Sequence, residues 1–482
     1  MLLHLAWRRN LDGYDLAVAV NRLASRGAPL WWLGASGPTH EPGDYLCDVD
    51  PDYAERLAGF GITAEGWRGD LPDDAVAIAH PRIALFADGA AAFPFFAYYA
   101  MALARLGFDF QMVDSEAIAN GDLGRFDLLV LPSDVPVWGL DAEGVGGADA
   151  AVRDFLAGDG AAIGSGGGAF YLSSGRPGWT NVALARPLFT HEFLRTGVGV
   201  VSVQFGADSI SFGCPPSLEM PYYHGPVFAE LDRAVSPAAD FDRLVMSGHL
   251  FFPNPLDDGF FRREIAGHTA IIRAETRRGR AMLFSPNPEM GDLVRKYIAL
   301  DGYAARYLSI RGEAAMAEAM RNYRPLEAPS WRPILNAIHS LMLRFEPPGA
   351  MPAGPVPAQP PAPKMRLTAA LDGALRRLKF PEELPLQGLL GVVRDDLRAR
   401  IKLLAGRLET VETAFAALDP PAPGIRYLWA GCEAAALAAC AEGAKAERPP
   451  VERLAAFETG LALAEAWCRL AEGERHFGRV IL

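Results

Sequence analysis

Between residues 83 and 165, short apolar runs alternate with helix-length segments, and that alternation admits few folds. Ile83 to Phe86 reads as a strand, with Asp88 and Gly89 as the turn that follows. Phe95 to Leu106 has the length and composition of a helix and stops at Gly107. Asp109 to Val113 is a second strand. Phe126-Asp127-Leu128-Leu129-Val130-Leu131-Pro132 is a third, nearly continuous in hydrophobicity, as a strand covered on both faces should be. Ala150 to Ala157 reads as a helix broken by Gly158 and Gly160, and Ala161 to Gly164 as a fourth strand. Strands alternating with helices imply a parallel sheet with right-handed crossovers. Open sheets of this kind bind ligands beyond the carboxyl ends of their strands.

The rest of the chain falls into place around that unit. Residues 1–80 read as a small α/β unit: helical spacing at Leu16 to Leu23, a buried strand at Ala28 to Leu33, and a second helix at Asp52 to Phe60. His80-Pro81 is the connector. Within residues 81–345 the middle carries shorter β-like pieces, Gly199 to Phe205 and Thr269 to Glu275. Arg280 to Ser285 is a closing strand, and Trp331 to Arg344 an amphipathic helix. Residues 346–364 are a proline-rich linker, PPGAMPAGPVPAQPPAP at their heart, extended and semi-rigid. Residues 365–482 are Ala/Leu/Glu/Arg-rich and read as an α-helical domain, split into two groups at Pro420 to Pro423.

Charge and cysteine usage exclude several classes. Lys and Arg number 46 against 58 Asp and Glu, a net charge of −12, so no grip on nucleic acid or an anionic membrane is expected. The five cysteines have no C-x-x-C spacing, which argues against a disulfide framework or a zinc ribbon. Cys432, Cys440 and Cys468 read as small core residues of the helical domain. No run approaches the roughly 18 apolar residues of a membrane span, and the first ten residues do not follow the order of a secretory signal. The expected address is the cytoplasm.

The segment Ala162-Ile163-Gly164-Ser165-Gly166-Gly167-Gly168-Ala169-Phe170-Tyr171-Leu172 turns a strand sharply into a helix, with glycine two before and two after its apex. That is the pattern of a nucleophile elbow. It resembles the elbow of the class I glutamine amidotransferase superfamily, nearest the biotin–protein ligase N-terminal-like branch. Gly164 and Gly168 match the flanking glycines, and Gly166 stands at the cysteine position. Gly279 to Glu289 resembles the closing strand of the superfamily, with Asn287 at the histidine position and Glu289 at the acid. Tyr222 to Phe228 is similar to the Tyr-Tyr-Asn-Gly-Gly stretch of the same branch. A second resemblance, to the amidotransferase-like domain of some bacterial zinc-carboxypeptidase-like proteins, covers Arg22 to Trp67 and Gly121 to Pro132. No H-x-x-E ligand pair accompanies it, so it bears on organisation and not on zinc chemistry.

The resemblance implies a flavodoxin-like parallel-sheet domain flanked by the small N-terminal unit and the helical C-terminal domain. It also implies a pseudoenzyme. Glycine offers no thiolate, and a carboxamide cannot take up and return a proton near pH 7. The degenerate positions Gly166, Asn287 and Glu289 leave no catalytic set. The expected role is a ligand-binding or scaffolding subunit of a bacterial complex, joined to a protein partner or to a second copy through the C-terminal helices. The candidate ligand site comprises Asp88, Gly89, Gly164, Ser165, Gly166, Gly167, Tyr223 and His224, suited to a small anion or carboxylate at free backbone N–H groups. No cofactor and no metal are expected. The alternative is a hydrolase or amidase of altered chemistry, using Cys214 or a metal held by His224, His249 and His268. Ser165 lies one residue before the apex, so its side chain should point away from the place of an attacking group. The aromatic run Phe93 to Tyr99 fits either a pocket wall or helix packing.

Overall fold

A computed structural model of the protein describes residues 1–10, 13–87, 95–133, 139–173, 186–187, 196–248, 254–292, 294 and 329–343, with isolated positions 406, 407, 410 and 413. The described residues up to 343 belong to one compact unit and the four isolated positions to another. The linker at 346–364 and, apart from those four helical positions, the region 365–482 lie outside the described residues.

The first sheet is built from β1 (Leu2–Leu5), β2 (Leu30–Leu33), β3 (Tyr45–Asp48), β4 (Glu65–Gly66) and β5 (Ala75–Ala77), in the order β4-β1-β3-β2-β5. Every pairing in it is antiparallel. Helices α1 (Gly13–Ser25) and α2 (Pro51–Gly59) belong to the same stretch of chain. Leu5, Leu16, Val20, Trp32, Tyr45, Leu57 and Ile62 form its core. The N-terminal apolar stretch is therefore an inner strand, with Leu3, His4 and Leu5 buried.

The second sheet has eleven strands. In chain order they are β6 (Ile83–Phe86), β7 (Phe110–Val113), β8 (Leu128–Leu131), β9 (Ala161–Ser165), β10 (Arg186–Pro187), β11 (Val198–Phe205), β12 (Ser217–Tyr223), β13 (Phe228–Glu230), β14 (Val235–Ser247), β15 (Thr269–Thr276) and β16 (Gly279–Phe284). The main path runs β12-β11-β14-β15-β16-β9-β8-β6-β7, with β13 pairing to β15 and β10. The expectation of a parallel sheet holds for β16, β9, β8, β6 and β7. It needs correction for the rest. Strands β12, β11, β14 and β15 extend the sheet in antiparallel pairing, so the sheet is mixed. The physical reason lies in β14, a 13-residue strand whose burial pattern alternates only in part. It carries Pro237 and two register shifts against β15, which break the period-two pattern that a sequence reading depends on.

Helices α3 (Phe95–Arg105), α4 (Ser115–Ala119), α5 (Ala148–Ala157), α6 (Gly167–Ser173), α7 (Asp258–Glu264) and α8 (Trp331–Met342) complete the unit. Every residue of α3 is buried, including Arg105, which pairs with Asp15 at 3.1 Å and lies over the Tyr14 ring. A helix that is apolar all round belongs inside a protein, and the aromatic run from Phe95 is accordingly packing material. At the starts of β6 and β8, Arg82 grips Asp127 with two hydrogen bonds, from Nε at 3.0 Å and Nη2 at 2.6 Å.

Helix α8 joins the two sheets. Its Arg332 stacks 3.5 Å from the centroid of the Trp7 ring and donates to the Gly43 and Phe212 carbonyls. Its His339 is fully surrounded, between Tyr45 Oη at 3.5 Å and Asn21 Oδ1 at 3.2 Å. Burial, aided by the Arg332 charge, pushes the imidazole down to about 3, so it is neutral. Asn21 also donates to the Leu106 carbonyl at 2.6 Å, at the end of α3. The next residue, Gly107, has φ +81°, and a Cβ there would come within 2.6 Å of the Val18 backbone. Gly107→Ala should therefore lower the unfolding free energy by about 2–4 kcal/mol, combining left-handed strain with a backbone clash. Gly121→Ala, at φ +89° with nothing nearby, should cost only about 1 kcal/mol. Urea unfolding of the two variants tests this, and equal losses would contradict it.

Candidate functional site

Three parallel strands deliver their carboxyl ends to one place: β8 to Ser133, β9 to Gly166, and β16 to Asn287. Strand β9 ends at Ser165, the backbone turns at Gly166 with φ +48°, and α6 starts at Gly167. The flanking glycines are steric necessities. A Cβ on Gly164 would lie 2.8 Å from the Gly168 carbonyl carbon, and one on Gly168 would collide with the Leu131 carbonyl oxygen. Helix α6 can approach β8 and β9 this closely only if both positions are glycine.

The backbone amides at the apex are engaged. Gly166 donates to the Phe284 carbonyl at 2.9 Å and Gly167 to the Ser133 carbonyl at 2.7 Å. These are two of the N–H groups that an anion at the elbow would need, and they already have partners. Of the expected ligand site, the Gly166 and Gly167 amides are therefore not open donors.

Asn287 sits directly over the apex. A Cβ on Gly166 would be 3.1 Å from Asn287 Nδ2. Strand β16 is in parallel register with β9, Phe284 opposite Ser165, which brings the two positions together. The carboxamide is fixed at both ends: its Oδ1 accepts from the Tyr223 amide at 2.9 Å, and its Nδ2 donates to Glu289 Oε1 at 3.2 Å. Its own amide donates to the Pro221 carbonyl at 2.8 Å. Ser165 Oγ donates to the same Glu289 oxygen at 2.7 Å. The Ser165 side chain is therefore directed to Glu289, as an internal partner and not as a pocket wall. The start of α8 clamps the acid from behind. Trp331 Nε1 donates to the Glu289 carbonyl at 3.0 Å, and Ser330 Oγ to the Pro288 carbonyl at 2.9 Å.

Ser165 and Asn287 are fully buried, and Glu289 is 1% exposed. Burial raises the Glu289 carboxyl to about 7, against the opposing pull of its Ser165 and Asn287 hydrogen bonds. The nearby Tyr99 hydroxyl is pushed well above its ordinary range by burial and by the charge on Glu289. No charged partner contributes to the Glu289 shift among the described residues. Glu289 accepts from a hydroxyl and a carboxamide in a closed interior.

The other candidates stand elsewhere or are committed. Tyr223 packs between Phe95, at 5.2 Å, and His224, at 4.9 Å. His224 has φ +50°, and its Nδ1 accepts from the Gly197 amide at 3.1 Å. Asp88, Gly89 and His249 lie outside the described residues. His268 lies in the turn before β15, where its carbonyl accepts from the Phe241 amide. Among the described residues no group of three metal-ligating side chains converges. Cys214 Sγ contacts the Ile210 carbonyl at 3.8 Å, and burial pushes its thiol up to about 12. Sequence reasoning passed over Ser133, Tyr99 and Trp331. The signal for Ser133 was available, since it follows a strand expected beside the elbow strand, where carboxyl ends converge. Tyr99 was seen only as part of an aromatic run.

No protein-family model matches the chain, and no curated protein does. Solved structures do show a likeness. A glutamine amidotransferase from Thermotoga maritima is 12% identical over 55% of this chain and 99% of its own, with a TM-score of 0.35. A second glutamine amidotransferase is 17% identical over 45% of this chain and 99% of its own, with a TM-score of 0.28. A Thermoplasma acidophilum protein described as belonging to a GMP synthase is 16% identical over 44% of this chain and 85% of its own, with a TM-score of 0.30. At these scores the likeness carries no argument about chemistry or branch. Among the described residues no helix is long and apolar enough to cross a membrane.

The buried acid has a measurable consequence. Its carboxyl titrates near 7 in the fold, against an ordinary value of 4.5. The folded state then binds the proton more tightly, and the stability from this group is full below 4.5 and lost as pH rises through 7. Glu289→Gln removes that titration while keeping an acceptor oxygen. Urea unfolding from about pH 4.5 to 8 should show the variant gaining on the parent by roughly 3 kcal/mol across the window. Parallel profiles would refute it.

Proposed function

We propose that the chain is a catalytically silent member of the class I glutamine amidotransferase superfamily, of the biotin–protein ligase N-terminal-like branch, and that its α/β domain serves as a scaffold. One observation carries the reading. Gly166 occupies a left-handed bend whose missing side chain would face Asn287 at 3.1 Å, so the two positions meet as an attacking group and its base would. Neither residue can do that work. Glycine has nothing to attack with, and the Asn287 carboxamide is locked between the Tyr223 amide and Glu289. Nucleophile and base act as one unit, and loss of either removes most of the rate.

The same geometry favours scaffolding over ligand binding. Ser165, Asn287 and Glu289 are buried against one another, and the apex amides have internal partners. A hydrolase using Cys214 finds no support. A thiol held near 12 is ionised in only about one molecule in 100,000 at neutral pH. The proline-rich linker and the C-terminal region, whose sequence is expected to be helical, are assigned to self-association of the chain in the cytoplasm, as part of a bacterial assembly.

Purified protein incubated with glutamine, a chromogenic amide and an ester should give turnover no faster than buffer, before and after iodoacetamide treatment. Hydrolysis abolished by Gly166→Val would end the silent reading. Light scattering should give a larger particle for the full chain than for one truncated after residue 345. Identical protomer counts for both would remove the self-association role.

A further inference from the structure

The site is closed by a residue that the loss of nucleophile and base does not require. Ser133 follows β8 and is 7% exposed. A Cβ on Gly166 would run into the Ser133 hydroxyl and lie 3.1 Å from the Ser133 Cβ. Rotating the serine about χ1 moves the oxygen alone. The 3.1 Å approach to its Cβ remains, inside the roughly 3.5–4.0 Å of comfortable carbon contact. Ser133 also acts through its backbone, because its carbonyl holds the Gly167 amide at 2.7 Å. In an acyl-transfer elbow the amide after the apex is a donor to the oxyanion. Here that donor already has a partner.

We infer that Ser133 is a steric plug of the elbow: its side chain fills the volume that a side chain at position 166 would need, and its carbonyl engages the amide that would stabilise an oxyanion. The inference rests on the silent-elbow reading for the position of the apex. It adds that restoring a side chain at 166 does not reopen the site while serine stands at 133.

The test places a reporter thiol at the apex of the full-length protein. Gly166→Cys is prepared alone and together with Ser133→Gly, each is pulsed with iodoacetamide under native conditions, and peptide mapping reads position 166. Buried Cys47 serves as the internal control. The thiol at 166 should react about tenfold faster in the double variant, as expected for a close steric coupling. Equal rates would overturn the plug. As a second readout, Gly166→Ala should lower the urea midpoint more in the parent than in the Ser133→Gly background, and equal drops would overturn it as well. Failure of both 166 variants to fold with Ser133→Gly would place the obstruction elsewhere and also overturn it. None of these failures touches the silent reading, which depends on groups the native chain lacks. Turnover by the native chain would sink that reading instead.

Discussion

The close approach of α6 to β8 and β9 is the constraint from which the site follows. It is possible only with glycine at 164 and 168, whose missing side chains let the helix start pack against strand backbone. The chain must then reverse within one residue, and Gly166 takes up the left-handed bend. Once the bend is there, the register of β16 against β9 brings Asn287 over it. Backbone packing alone thus holds the bend.

The interior around the bend is a closed set of polar contacts. The Glu289 carboxyl accepts from Ser165 and Asn287, and the Asn287 carboxamide is tied to the Tyr223 amide. Polar groups in a dry interior must find partners or destabilise the fold. Glu289 meets that demand only in part: its Oε1 accepts from two donors, its buried Oε2 has no hydrogen-bond partner among the described residues, and burial raises the carboxyl to about 7.

Much of the α/β half was legible from the sequence because its strands are buried on both faces and read as continuous apolar runs. Ile83 to Phe86, Leu128 to Leu131 and Ala161 to Gly164 all appear as strands, and the elbow lies where the glycine spacing placed it. The antiparallel half was harder. Strand β14 mixes Pro237, Asp240, Asp242 and Arg243 with apolar residues, and its register shifts hide the alternation. In the N-terminal unit β1 and β3 were missed, since His4 and Asp48 interrupt short runs that only tertiary pairing makes into strands. Within the site, Gly166, Asn287 and Glu289 were marked by the family resemblance, and the fold brings Asn287 over the bend and Glu289 against it. Trp331 was not legible at all, because its role depends on a meeting of distant segments, and Ser133 had only its place after a strand end as a signal.

Helix α8 extends that point. Trp331 and Ser330 hold the loop that carries Glu289, while Arg332 and His339 tie the same helix to Gly43, Tyr45 and Asn21 in the N-terminal unit. One short helix therefore touches the bend region at its first turn and the N-terminal unit along its length. Both sheets thus share one helix, so a substitution that loosens its packing is felt in both.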